Sequence, residues 1–149
     1  MRAVVQRVRN ASVRVSEMRV SYIDYGILIY IGVASDDSHS DVLYLSEKIS
    51  NLRIFPDQDE KMNLSVKDIA GSALIVSQFT LFADARKGRR PSYSDAAPPE
   101  LASILYTDFI SALSNQGIPV YSGIFQASMQ VEYINDGPIT ILLDSKKTF

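Results

Sequence analysis

The sequence contains no cysteine. That excludes disulfides, thiolate metal sites and a cysteine nucleophile. It has one histidine, His39, in the polar stretch "DDSHSD" ahead of a helical pattern. A Ser-His-Asp triad has no natural centre there, and the residue reads as an exposed neighbour of a helix cap. The apolar run "GILIYIGV" is too short to cross a membrane. The opening "MRAVVQRVRN" alternates charge and hydrophobe and lacks the apolar core of a signal peptide, so a cytoplasmic protein is expected. An excess of positive charge is also missing. The net charge of −2 argues against a generic nucleic-acid binder. The acidic clusters "DDSHSD" and "DQDE" lack the ligand register and glycine of a calcium loop, and no convergent His or carboxylate spacing appears. Neither a Walker loop nor a dinucleotide fingerprint is present. No metal and no cofactor are expected.

With 149 residues, 46% of them hydrophobic and 21% charged, the chain reads as one globular domain spanning 1–149, long enough to bury a core. Residues 2–9 alternate as a strand, with Ala3, Val5 and Arg7 on one face. "SVRVS" and "MRVSYI" follow as short strands, and "GILIYIGV" as a buried central one. Val42, Leu45, Ile49 and Leu52 then define a helical face, with Ser38 and Asp41 as a capping pair and Pro56 closing the segment. "SALIVSQFTLFAD" reads as another strand. "PPELASILYTDFISALSNQG" is the clearest helix, with Leu101, Ile104, Leu105, Phe109, Ala112 and Leu113 on one side and Gly117 placed to stop it. "VYSGIFQASMQVEYI" and "ITILLD" complete the chain as strands. This order gives an α/β fold of the mixed, α+β-like kind, with two main helices on a mixed sheet.

Three features stand out. "SQFT" inserts polar residues into an apolar strand, where each must find a partner or cost roughly 1–3 kcal/mol. Hydrogen-bonded packing at a strand end would explain it, and so would a pocket floor offering hydroxyls, an amide and free N–H groups. "ARKGRRPS" gathers Arg86, Lys87, Arg89 and Arg90 around a glycine, as either a solvated loop or a phosphate-holding one. "YINDGPITI" spends Asn135, Asp136, Gly137 and Pro138 on one corner with strand on both sides, although a tight turn needs only one or two such residues. Thr80 could be a nucleophile in principle, but no activating base is evident in the sequence.

"SQFTLFAD", "KGRRPSY" and "GIFQASMQVEYINDGPIT", in that order, resemble the signature regions of the D-aminoacyl-tRNA deacylases, the D-tyrosyl-tRNA deacylase family. "MRAVVQRVRNASVRV" and "NLRIFPDQDEKMNLSV" extend the likeness over essentially the whole chain. The resemblance implies a strongly twisted, barrel-like mixed and antiparallel sheet. It also implies an enzyme that hydrolyses the ester of D-aminoacyl-tRNA, releasing free tRNA and the D-amino acid. Homodimers with active sites at the subunit interface are implied, each subunit inserting a cis Gly137-Pro138 peptide into its partner's pocket. Two carbonyl oxygens aimed beside the substrate α-carbon would reject an L side chain without reading its identity. Glycyl-tRNA, with nothing to collide, would pass.

The resemblance also assigns roles. The substrate's own 2′-hydroxyl and a water would replace a protein base. Backbone N–H groups at Phe79 and Thr80 would stabilise the oxyanion, Ser77 and Gln78 would hold the adenosine or amino group, and the Thr80 hydroxyl would orient the ester. Phe125, Ala127 and Met129, sharing a strand face by alternation, would wall the pocket together with Asn135. Arg86, Lys87, Arg89 and Arg90 would contact acceptor-stem phosphates. Two alternatives stand beside this reading: a non-catalytic RNA-binding module on the same fold, and a threonine-dependent esterase or amidase.

Overall fold

One long strand, β1 (Arg2–Val15), organises the molecule. The computed structural model describes all of residues 1–149. β1 exchanges partners along its length. Its first half pairs antiparallel with β3 (Gly26–Gly32), and its second half forms a hairpin with β2 (Met18–Ile23). Along its other edge, β8 (Gln130–Asp144) runs antiparallel from Arg14 back to Arg2. The strands expected separately at 2–9 and from Ser12 are therefore one. A bulge lies between Val8 and Asn10, where the β8 partner advances only from Asn135 to Ile134. That slip puts Ala11 and Val13 on the face Val8 occupied, so the second half of β1 turns its apolar residues over.

β6 (Ser72–Ser77) joins β3 in parallel, and β7 (Val120–Ser122) joins β6 in parallel, giving a six-stranded sheet in the order β2-β1-β3-β6-β7 with β8 also on β1. Parallel neighbours require crossovers, and the two helices supply them. α1 (His39–Ser50) and α2 (Pro99–Ser114) lie on one face over Ala3, Val5, Ile27, Ile29, Ile31, Ala73 and Ile75. On the opposite face the sheet curls on itself, closing a smaller cluster of Val8, Ala11, Val13, Ile23, Leu28, Leu74 and Val76. The result is the mixed, nearly closed barrel-like sheet with two helices. A small hairpin, β4 (Phe55–Pro56) with β5 (Met62–Leu64), stands apart.

The helices follow their sequence signals. Ser38 and Asp41 form the reciprocal capping box, and Val42, Leu45 and Ile49 are buried. In α2, Leu105, Phe109 and Leu113 are buried, but Ile104 is 60% exposed and does not belong to the buried face assigned to it from its spacing. His39 is exposed and lies 3.3 Å from Asp108, a link between the helices.

Two expected strands are cut short. "SALIVSQFTLFAD" is strand only to Ser77 and then tightens into a 3-10 turn, Phe79–Phe82. "VYSGIFQASMQVEYI" is strand at Val120–Ser122 and again from Gln130. β7 lies beside β6 while β8 lies beside β1, so the chain must cross between them, and residues 123–129 do so. At Gly123 a Cβ would sit 2.5 Å from the Met129 sulfur, and Gln126 takes a left-handed φ of 64°. Phe125, Ala127 and Met129 therefore do not share a strand face.

Candidate active site

Where β6 ends, the backbone leaves the sheet and its donors change role. The Gln78 N–H makes a last ladder-like bond to Ile31 O at 2.8 Å. Phe79 and Thr80 open the 3-10 turn, and neither N–H is bonded within the chain, as expected for the first donors of a helical turn. The Gln78 side-chain amide donates to Thr80 Oγ1. That fixes the threonine hydroxyl on an amide rather than on a titratable group.

Beside this turn lies a cavity of about 670 Å³. Val76, Ser77, Gln78 and Phe79 form one side, Ala96, Ala97, Ala102 and Tyr106 another, and Phe125, Gln126, Ala127 and Met129 a third. Of its 17 lining residues 13 are hydrophobic, and none is Asp, Glu, His, Lys or Arg. The size and apolar character suit a small-molecule or nucleoside-sized ligand. At the mouth, Phe79 packs edge-on to Tyr93 at 5.1 Å, both rings partly exposed. At the back, Tyr106 donates to Ile75 O at 3.0 Å, and its ring lies 5.7 Å from that of Phe125. Burial pushes the Tyr106 hydroxyl up to about 12, against a lowering hydrogen bond with Ser122, so it stays protonated near neutrality and is no base.

The corner at Asn135 is not a hairpin. β8 pairs with β1 on both sides of it: Val8 faces Asn135 and Gln6 faces Thr140, so residues 136–139 are lifted out of a continuing ladder. Side chains replace the lost ladder bonds. Asn135 Nδ2 donates to Arg7 O and Ile139 O, both at 2.9 Å, stitching the two ends of the bulge together. Arg7 donates from Nε to Asp136 O at 3.2 Å and from Nη1 to Ile54 O at 2.7 Å, and its Nε lies 3.2 Å from the Asp136 carboxylate. Arg9 holds the other carboxylate oxygen at 3.0 Å. At the tip, Gly137 and Pro138 are exposed, joined by a cis peptide, with Gly137 at φ 120°.

Several sequence-derived assignments change with this geometry. Ser77, Gln78, Phe79, Phe125, Ala127 and Met129 all face one cavity, although the last three reach it from an irregular segment. Asn135 does not line it. Its Nδ2 group is spent on the bulge, where it acts as a clamp. Thr80 also lies outside the lining, tied to Gln78. Gly137 and Pro138 are not among the residues that line the cavity. In the basic loop, Asp84 and Ser92 bond each other's backbones at 2.8 and 2.9 Å and pinch its base. Arg86 is engaged there by a two-pronged pair with Asp84, both contacts at 2.8 Å, and that hydrogen bonding holds the Asp84 carboxyl well below the usual range. Lys87, Arg89 and Arg90 remain exposed without an ion pair.

Sequence reasoning missed Arg7, Tyr93 and Tyr106. Only Arg7 left a trace, as a charged residue between the apolar positions Val5 and Val8.

Comparison with known proteins gives the geometry its context. The profile of the D-Tyr-tRNA(Tyr) deacylase family matches residues 4–144. A protein named D-aminoacyl-tRNA deacylase from Syntrophobacter fumaroxidans is 58% identical over 100% of both chains. Another of that name, from Fervidobacterium nodosum, is 60% identical over the same span. A solved structure described as a c-Myc DNA unwinding element binding protein superposes with a TM-score of 0.91 at 39% identity, covering 97% of this chain and 98% of that one. A second, described as a probable eukaryotic D-amino acid tRNA deacylase, superposes with a TM-score of 0.82 at 18% identity over 95% and 97% of the chains, a likeness of fold. No helix here is long and apolar enough to cross a membrane. From its matched span, and from relatives like these over its full length, the chain belongs to the D-Tyr-tRNA(Tyr) deacylase family.

Proposed function

We propose that this protein is a cytoplasmic D-aminoacyl-tRNA deacylase, a single-domain hydrolase that cleaves the ester between a D-amino acid and the terminal adenosine ribose. The observation that carries the reading is the pairing of an uncharged cavity with two unpartnered N–H groups in the turn beside it, Phe79 and Thr80. An aminoacyl ester is already activated. Its hydrolysis needs a positioned water, a sink for the proton and donors for the oxyanion. Phe79 and Thr80 supply the donors. Ser77 and Gln78 hold the adenosine or amino group, and Phe125, Ala127 and Met129 wall the pocket. The substrate's 2′-hydroxyl relays a proton, accepting one from the water as oxygen attacks the carbonyl carbon and passing its own to the ribose 3′-oxygen. The ester C–O bond then breaks and the ribose 3′-oxygen leaves protonated.

Stereochemical choice falls to Gly137 and Pro138, delivered from a second subunit. The exposure of that bulge at a clamped base supports a contact made outside its own subunit. Ile134 and Leu142, at 54% and 60% exposed on β8, offer apolar area for a second copy. Backbone atoms at the tip exclude an L side chain by collision, so residues of different chemistry are accepted and glycyl-tRNA is cleaved too.

The deciding experiment follows ester loss from D-Tyr-tRNA and L-Tyr-tRNA in parallel. Release of the D form with the L form retained is expected. Equal treatment of both enantiomers, or binding without release, would favour a nucleic-acid-binding module, the kind of role named for the c-Myc DNA unwinding element binding protein.

Lys87, Arg89 and Arg90 contact acceptor-stem phosphates in this reading. Replacing all three with glutamate should raise the KM for tRNA at least about tenfold and flatten its salt dependence by roughly one unit of slope per lost cation, with kcat little changed. Arg86→Ala should do less, since that guanidinium is already paired with Asp84. An unchanged KM in the triple variant would remove the loop from the tRNA footprint.

A further inference from the structure

Two aromatic rings lining the cavity mouth stand open to solvent. Phe79 is 58% exposed and Tyr93 41%. Their centroids lie 5.1 Å apart with the ring planes at 65°. An edge-to-face pair leaves flat ring surface uncovered that a parallel stack would hide. The backbone on both sides of Tyr93 is fixed. Ser92, just before it, exchanges both backbone bonds with Asp84 at the base of the basic loop. Just after it, the Ala96 N–H donates to Tyr93 O at 3.1 Å, and the Ala97 N–H donates to Val33 O at 2.9 Å. Phe79 opens the 3-10 turn that follows β6. Each ring therefore projects from a pinned base rather than from a free loop.

The neighbouring charge points to what covers them. Arg86 neutralises Asp84, which leaves Lys87, Arg89 and Arg90 as the unpaired cations of the loop. Arg90 precedes Tyr93 by three residues, a span of at most about 11 Å. Flat apolar surface beside a cluster of cations suits a single-stranded nucleic acid, with phosphates on the cations and an unstacked base on the rings. In the deacylase reading the uncharged cavity takes the terminal adenosine and its ester. Its ring-bearing mouth is then where the strand leaves.

We propose, resting on that reading, that Phe79 and Tyr93 form a stacking platform for the base of the nucleotide preceding the terminal adenosine, with the phosphates behind it continuing onto the basic loop. Every base has a π face, so the platform grips a 3′ end without reading its sequence. A fully paired end, whose last bases stay stacked on their neighbours, cannot use it.

The test is a cycle between ring and base. D-Tyr esters are prepared on an RNA minihelix with an unpaired 3′ end, on the same minihelix with an abasic ribose just before the terminal adenosine, on one with a different base there, and on adenosine alone. Each is given to the full chain as the parent and as Tyr93→Ala, Tyr93→Leu and Tyr93→Phe. For the parent, the abasic ribose should raise KM about tenfold and the exchanged base by no more than about threefold. Tyr93→Ala and Tyr93→Leu should each raise KM about tenfold on the unmodified end, since an apolar side chain without a flat face cannot stack. On the abasic end or on adenosine alone the same changes should cost at most about threefold, because the partner base is already gone. Tyr93→Phe, which keeps the ring, should keep the parent KM. The abasic comparison on the parent stands even if a variant does not fold. Equal Tyr93→Ala penalties on the unmodified and abasic ends, or no abasic penalty at all, would overturn the proposal and leave the rings to a second subunit or to the aminoacyl group. Kd values for the same minihelices without an ester run the cycle independently of chemistry. If no form releases D-Tyr, the deacylase reading fails, and the Kd cycle still decides the platform.

Discussion

D-Tyr-tRNA whose terminal ribose lacks the 2′-hydroxyl should be deacylated about 10²–10⁴-fold more slowly than the natural substrate, the range expected for loss of a positioned proton acceptor. The reason is what surrounds the ester. No charged side chain lines the cavity, and Tyr106, its buried hydroxyl, is held protonated. The Thr80 hydroxyl accepts a hydrogen bond from the Gln78 amide, which is no base and cannot deprotonate it. No side chain lining the cavity is a base, so under the proposed mechanism removing the substrate's hydroxyl should remove the proton relay. Thr80→Ala gives the complementary result. It should slow turnover by no more than about tenfold, the worth of one hydrogen bond, because the oxyanion donors are backbone groups that survive the change. Single-turnover rates on matched esters check both. Full activity on the 2′-deoxy substrate, or complete loss in Thr80→Ala, would transfer the chemistry to the threonine.

Gly137→Ala should lower turnover of D-Tyr-tRNA by about 10²-fold, the scale of an ångström-sized misplacement of a positioning element. Two features of the site set this expectation. The backbone at 137 has a φ of 120°, which an L side chain tolerates poorly. A Cβ there would also lie 2.9 Å from Arg7 Nη2 and 2.9 Å from the Ile139 side chain. Arg7 cannot simply move aside, since it is held by Asp136 and by Ile54 O. The bulge must shift instead, and with it the atoms proposed to enter the partner's cavity. Stability should suffer by only about 1–3 kcal/mol, because the residue is exposed and strain is confined to the tip. A variant that folds, dimerises and cleaves at the parent rate would show that the tip does not touch the reacting part of the substrate.

The elements most legible in the sequence are those whose signals are local. α1 is written in a period near 3.6 and a Ser38–Asp41 box, and α2 in a proline start and a glycine stop, because a helix satisfies its own backbone. The "SQFT" and "NDGP" segments stand out because polar and turn-forming residues interrupt apolar strands. The family likeness then draws both into one reading. Even so, composition carries the strand past Ser77, since "FTLF" looks strand-like and only the tertiary structure shows it tightening into a 3-10 turn.

What only the folded chain decided depends on pairs far apart in sequence. Arg7 meets Asp136 across 129 positions, and Met1 meets Ser145 across 144. Neither contact has a local signature. The family likeness assigns Asn135 to the ligand, whereas its short amide bridges two carbonyls that the bulge removes from the ladder. The charge pattern counts Arg86 among free cations, although a carboxylate lies two residues away, because adjacency in sequence does not say which neighbour a flexible side chain will choose. The sequence by itself thus determined the helices, the apolar strands and the family. The tertiary structure decided which backbone donors stay unpaired and which charges are already spent, since both are fixed by what the sheet brings together when it closes.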